Sequence, residues 1–178
     1  MKIFLTGGTG FLGSHFINIA HNAGHQLVCI RRKGSQPKIN LQKSPIWVEG
    51  DLENDWKNEL SSCDALVHFA AVGVSPKIAT KDELLRWNII ASYNLVVSAI
   101  EVGIKKFMFS GTYAEYGLSA NDYNEIPTNA LLQPITDYAA SKASFLQLIY
   151  SITKIEKLKT VYTRIFSAYG EGQYLDNF

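Results

Sequence analysis

Short apolar runs alternate with longer amphipathic stretches along almost the whole chain. KIFLT (2–6) predicts a strand, and SHFINIAHNA (14–23), apolar at helical spacing, predicts a helix stopped by Gly24. QLVCI (26–30), IWVEGD (46–51), ALVHFAA (65–71), KKFMFS (105–110) and TVYTRIF (160–166) predict further strands. Residues 54–62 predict a brief helix and 81–102 a long one ended by Gly103. A loop carrying Pro127 and Pro134 then leads into a helix over 138–157. Strand–helix alternation calls for a parallel sheet, because each crossover must return right-handed over one sheet face. The expectation is an α/β, Rossmann-type doubly wound domain over residues 1–178, with strand order 3-2-1-4-5-6.

Composition narrows the partners. With 47% hydrophobic and 19% charged residues, the chain has the make-up of a globular domain with a real core. A net charge of +1 points to neither nucleic acid nor an acidic membrane surface. No apolar run approaches a membrane span, and the N-terminus runs from Lys2 straight into a strand rather than a signal peptide. Cys29 and Cys63 have neither metal-ligand nor redox spacing, so free thiols in a reducing cytoplasm are expected. No metal site is expected.

The stretch TGGTGFLG sets four glycines, Gly7, Gly8, Gly10 and Gly13, within seven residues. It falls between the first strand and the first helix, where backbone N–H groups and the helix dipole favour an anion. Glycines there clear a path for a pyrophosphate, and the strand–turn–helix setting makes the pattern far more specific than glycines alone.

Thr6-Gly7-x-x-Gly10-x-x-Gly13 resembles the turn of the extended short-chain dehydrogenase/reductase family, the NAD-dependent epimerases, dehydratases and keto-reductases of nucleotide sugars. Further motifs follow in family order. VEGDL (48–52) looks like the acidic segment that meets adenine, and HFAA (68–71) like the fourth-strand motif along the cofactor. Asn88 falls where the family has a helical asparagine, SGTYAEYG (110–117) resembles its Ser/Thr motif, and YAASK (138–142) is a Tyr-x-x-x-Lys pair. TRIFSAYG (163–170) is similar to the segment that contacts nicotinamide. The resemblance implies cofactor contacts from Gly7, Gly10, Phe11, Leu12, Gly13, Asp51, Leu52, Phe69, Ala70, Ala71, Asn88, Tyr138, Lys142 and Phe166. It also implies catalysis by Thr112, Tyr138 and Lys142 on a nucleotide-sugar substrate.

The chemistry of that trio is coherent by itself. Tyr138 and Lys142 lie four apart on one helix face, and an ammonium beside a phenol favours the phenolate and lowers its pKa. Tyr138 would then exchange a proton with a sugar oxygen as hydride moves to or from the cofactor, and Thr112 would hold that oxygen.

The sequence departs from the family in three places. Arg31, followed by Arg32, stands where NAD enzymes carry an acid for the ribose 2′-hydroxyl. Guanidinium groups there suit a 2′-phosphate, which favours NADP, with NAD as the alternative. Tyr113 and Ala114 replace the Asp-Glu pair of the family's dehydratases, which favours a 4-keto-sugar reductase or 4-epimerase. The chain stops at Phe178 without the family's small C-terminal substrate domain, and Ser167 replaces an asparagine, so a longer parent protein is expected. The resemblance implies a homodimer through helices 81–102 and 138–157, with two readings open for Tyr93, Val97, Phe145 and Leu148: apolar contacts of that dimer, or residues that face the sheet. Two alternatives stay open: a reductase of small non-nucleotide ketones or aldehydes, and a non-catalytic NADP-binding sensor on the same fold. His15, His21, His25 and His68 are expected to be structural or surface residues.

Overall fold

The computed structural model describes residues 1–174. Strands β1 (Lys2–Thr6), β2 (Gln26–Arg31), β3 (Ile46–Glu49), β4 (Ala65–His68), β5 (Lys106–Thr112) and β6 (Lys159–Ile165) form one sheet. Every pairing is parallel and the order is β3-β2-β1-β4-β5-β6, as the alternating pattern requires. Helix α1 (Phe11–Asn22) follows β1, and the short α2 (Lys57–Ser61) precedes β4. Helices α3 (Lys81–Glu83) and α4 (Ser92–Glu101) are joined by a π-helical stretch, Leu84–Ala91, and α5 (Asp137–Ile155) crosses to β6.

Period-two alternation divides the strands between two cores, as expected of a sheet covered on both faces. Ile3 and Leu5 of β1, Leu27 and Cys29 of β2, and Val67 of β4 pack with Ile17 and Ala20 of α1. Phe4, Val28, Leu66, Phe107 and Phe109 face the other way, against Leu95 and Val96 of α4 and Phe145 and Ile149 of α5.

The boundaries differ from the sequence expectation for local reasons. Strand β4 stops at His68 because the ladder reaches only Phe69 N–H, which donates to Thr6 O at 3.2 Å. The next amide, Ala70, donates instead to the Thr6 side chain, also at 3.2 Å. Helix α5 ends at Ile155, two residues early, because Lys157 takes the left-handed conformation (φ 51°) without a glycine to announce it. No periodicity foretold the π-helical stretch, whose wide turn lets Ser92 Oγ donate to Trp87 O at 2.7 Å.

Of the two readings of Phe145, interface contact or residue facing the sheet, the second holds. Phe145 is completely buried, edge-on to Phe109 with ring centroids 5.6 Å apart, so it belongs to the core and not to a dimer surface. Leu148, on the same helix, is 38% exposed. Both cysteines are free, as expected. Among the described residues no helix is long and apolar enough to cross a membrane, and no cluster of potential metal ligands occurs.

Truncating Phe145 should leave a cavity in the larger core. Phe145→Ala is expected to lower unfolding free energy by about 3–5 kcal/mol in urea titrations, whereas Leu148→Ala should cost well under half of that. Equal, small losses for both would contradict the burial assigned to Phe145.

Candidate active site

Because all six strands run parallel, their carboxyl ends share one edge, and the residues singled out from the sequence gather there. Gly7, Gly10 and Gly13 shape the turn after β1, while Phe11 and Leu12 open α1. Arg31 ends β2; Asp51 and Leu52 lie just past β3; Phe69, Ala70 and Ala71 lie just past β4. Thr112 ends β5, Phe166 follows β6, and Tyr138 and Lys142 occupy the first turns of α5.

The turn after β1 is tight on its inner side and open on its outer side. Gly7 is left-handed (φ 73°), and a Cβ there would lie 2.7 Å from Ala70 N. A Cβ on Gly13 would run into the Gly7 carbonyl oxygen. Gly10, by contrast, has only Gly7 O nearby, 3.2 Å from a would-be Cβ, and otherwise faces open space. Gly10 also caps α1 without any side-chain hydrogen bond, so the first N–H groups of the helix are left for an incoming acceptor. A dinucleotide's pyrophosphate fits this cradle.

At the far end of the groove, the Arg31 guanidinium lies over the Trp47 ring, 5.2 Å from its centroid, with one amino group 3.4 Å from Glu49. Its Nε is buried and makes no hydrogen bond among the described residues; Arg32 is exposed. Asp51 accepts from Glu53 N–H at 2.9 Å and supports Trp56 Nε1 through its carbonyl at 2.8 Å. Asn88, expected to touch the cofactor, instead has both amide hydrogens engaged within the protein. They donate to Val72 O (3.1 Å) and Ser141 Oγ (3.0 Å), while its carbonyl accepts from Val72 N–H (2.9 Å). It braces the loop after β4 against α5.

An open cleft of about 300 Å³ runs beside Tyr138, with Gly73, Pro76, Lys77, Leu84 and Asp137 among its walls. Thr112 Oγ1 accepts from Ala114 N–H at 3.3 Å, which leaves its own hydroxyl hydrogen free to donate. Lys142 is only 2% exposed, and burial holds its ammonium down at about 8, with the Glu115 charge opposing the fall. Tyr138 does not behave as the sequence suggested. Burial pushes its phenol up to about 12, and the Glu115 charge pushes the same way. Desolvation leads and the Glu115 charge adds to it, so the free protein holds Tyr138 protonated at neutral pH.

Two polar networks went unrecognised in the sequence. Glu115 has no exposed surface; it accepts from Thr112 N–H and Tyr162 OH, both at 2.9 Å, and from Arg164 Nε at 3.1 Å. Charged residues at 115 and 164 inside apolar segments were the available sign of a buried ion pair. The second network is a directed chain. Ala70 N–H donates to Thr6 Oγ1, which bonds His68 Nδ1 at 2.7 Å; His68 Nε2 bonds Ser92 Oγ at 3.0 Å, and Ser92 donates to Trp87 O. Since Ser92 donates onward, Nε2 carries the hydrogen and Nδ1 accepts, so His68 is a neutral structural strut, as expected.

These features, a phosphate cradle at the β1–α1 turn and a Thr, Tyr and Lys at the carboxyl edge of a 3-2-1-4-5-6 sheet, define a dinucleotide-binding protein of the short-chain dehydrogenase type. Residues 3–177 match the NAD dependent epimerase/dehydratase family, and the chain belongs to it. It is 30% identical over 174 residues to the UDP-glucose 4-epimerase of Azospirillum brasilense, covering 95% of this chain and 49% of that protein. The dTDP-D-glucose 4,6-dehydratase of Mus musculus is 28% identical over 187 residues, covering 97% and 52%. The fold superposes with TM-score 0.79 on the UDP-glucuronic acid 4-epimerase from Bacillus cereus in complex with NAD, at 22% identity, covering 99% of this chain and 60% of that one. The chain thus spans about half the length of the curated relatives it matches.

The buried imidazole predicts a pH signature. Burial, with the Lys142 charge adding to it, holds His68 down at about 3 in the folded chain against 6.5 normally. The unfolded chain therefore takes up a proton that the folded chain refuses, so stability falls as pH drops from about 6.5 towards 3. Thermal melts at pH 7.5 and 4.5 should show a smaller acid loss in His68→Asn than in wild type. An unchanged loss would contradict the assignment.

Proposed function

We propose that this chain is the cofactor-binding part of an NAD(P)-dependent enzyme that acts on a nucleotide sugar, reducing a 4-keto group or inverting a 4-hydroxyl. The observation that carries this reading is the convergence of Thr112, Tyr138 and Lys142 on one edge, beside a glycine turn open to pyrophosphate. When bound, the nicotinamide supplies or accepts the hydride, and its oxidised ring adds positive charge that favours the Tyr138 phenolate. For reduction, Tyr138 donates its phenolic proton to the ketone oxygen as the carbon gains hydride; for oxidation, it accepts the hydroxyl proton. The free hydroxyl hydrogen of Thr112 holds the reacting oxygen, and Lys142 places a cation against the site, offsetting the burial that opposes phenolate formation.

Elimination chemistry fits this site less well. The turn after Thr112 carries one acid, Glu115, and it is fully buried against Arg164 rather than facing the cleft. The turn therefore offers no exposed acid in place of the family dehydratases' Asp-Glu pair. For the cofactor we favour NADP, its 2′-phosphate held by the exposed parts of the Arg31 and Arg32 guanidinium groups, with NAD as the alternative.

Two measurements test the reading. In a preparation that turns over a 4-keto nucleotide sugar, Tyr138→Phe should keep dinucleotide affinity while turnover falls by roughly 10²–10⁴. Wild-type turnover in that variant would end the acid–base role of Tyr138. Replacing Arg31 and Arg32 with Gln should weaken NADPH binding by roughly 1–3 kcal/mol more than NADH binding. Equal losses, or tighter wild-type binding of NADH, would overturn the NADP preference.

A further inference from the structure

We propose that Glu115 is a positioning residue for the proposed chemistry, its buried carboxylate fixing the Thr112 turn and, through Tyr162, the α5 backbone at Lys142, whose charged form it favours. The inference rests on the reading of Thr112, Tyr138 and Lys142 given above. Three bonds converge on this carboxylate from different elements. Thr112 N–H comes from the end of β5, while Tyr162 OH and Arg164 Nε come from β6. The Tyr162 hydroxyl also lies 3.3 Å from the Lys142 carbonyl oxygen, which links the carboxylate to the backbone of α5. Arg164 continues outward to Tyr116 OH (3.0 Å) and Thr128 O (2.9 Å), tying down the loop beyond the turn. Gly111 makes the arrangement possible, because a Cβ there would strike the Tyr162 ring and a Glu115 oxygen.

Such a network is costly unless it does something beyond filling space, since a buried ion pair is often no more stabilising than apolar side chains of the same volume. Here it has a specific consequence. Lys142 is buried, with its ammonium 5.8 Å from the Phe145 ring centroid. The titratable and charged groups around it are Glu115 from the turn after β5, Tyr138 on α5, His68 on β4, and Tyr162 and Arg164 on β6. Of these, Glu115 and Arg164 are paired charges, His68 is neutral, and both tyrosines are held protonated by burial. Glu115 is therefore the anion in this set that favours the charged form of Lys142.

The test follows the Lys142 side-chain amine by NMR through a pH titration of wild type, Glu115→Gln and Glu115→Asp. Glu115→Gln should move its midpoint down by about one unit, the lower end of the effect of one close charge, whereas Glu115→Asp, which keeps the charge, should stay near wild type. In a preparation with measurable turnover, Glu115→Gln should lower kcat by about tenfold, with KM changing less than about twofold. The alkaline fall in rate should move to lower pH together with the Lys142 midpoint. A Lys142 midpoint unmoved by Glu115→Gln overturns the proposal. Should that variant not fold, Glu115→Asp decides, because it keeps the charge beside Arg164 but shortens the reach to Thr112 N–H: its Lys142 midpoint must stay near wild type while kcat falls, and a midpoint that drops or a kcat that is unchanged overturns the proposal. The titration needs no substrate, so a failed turnover assay sinks the enzymatic reading alone, and an unmoved midpoint sinks this one alone.

Discussion

Contact between two glycines sets the geometry on which the site depends. Gly13, in the first turn of α1, lies so close to the Gly7 carbonyl that no side chain fits between them, and Gly7 can sit there only in a left-handed conformation. That contact fixes where α1 begins relative to β1 and β4. It presses the inner wall of the turn against Phe69 and Ala70, and leaves the outer wall at Gly10 clear. The uncapped start of the helix then faces the carboxyl edge of the sheet, with its dipole directed at whatever occupies the groove.

From there the parallel sheet does the gathering. Each strand delivers its last residues to the same edge, and the buried polar groups beneath that edge hold them in place. His68 links β1 and β4 to the π-helical stretch through neutral hydrogen bonds, and Asn88 links that stretch to α5. Glu115 and Arg164 link β5 to β6 through a charge pair. Among the described residues the interior thus carries the Glu115–Arg164 pair and the Lys142 ammonium, held down at about 8. Burial accounts for both the raised Tyr138 phenol and the lowered Lys142 ammonium, with the Glu115 charge adding to the first shift and opposing the second.

Much of this was legible in the sequence because it follows from local rules. Period-two strands, 3.6-period helices and a glycine turn between them left one economical topology, and the strand order agrees with it. The spacing of Tyr138 and Lys142 put them on one helix face, and the parallel sheet brought them to the edge that holds Thr112. What was not legible depended on three-dimensional context. Phe145 and Leu148 are both apolar on α5, and nothing in the pattern tells which meets Phe109 and which meets solvent. Asn88 has the chemistry of a ligand contact, but its amide is taken up by Val72 and Ser141, far away in sequence. Desolvation of Tyr138 cannot be read from a four-residue spacing, so the direction of its shift was misjudged. Glu115 looked like one more polar residue in a turn until β6 supplied its partners.

The central claim is that the turn after β1 is an open phosphate cradle, and Gly10 tests it most directly. A methyl group at this position meets only the Gly7 carbonyl oxygen at 3.2 Å and otherwise enters the groove. Calorimetric titration of wild type and Gly10→Ala with NADPH and with NAD, alongside thermal melts, separates folding from binding. The account predicts that Gly10→Ala keeps a melting temperature within a few degrees of wild type while its affinity for whichever dinucleotide the wild type binds falls at least about tenfold, roughly 1.4 kcal/mol. A Gly10→Ala chain that binds the dinucleotide as tightly as wild type, or a wild type that binds neither, would contradict it.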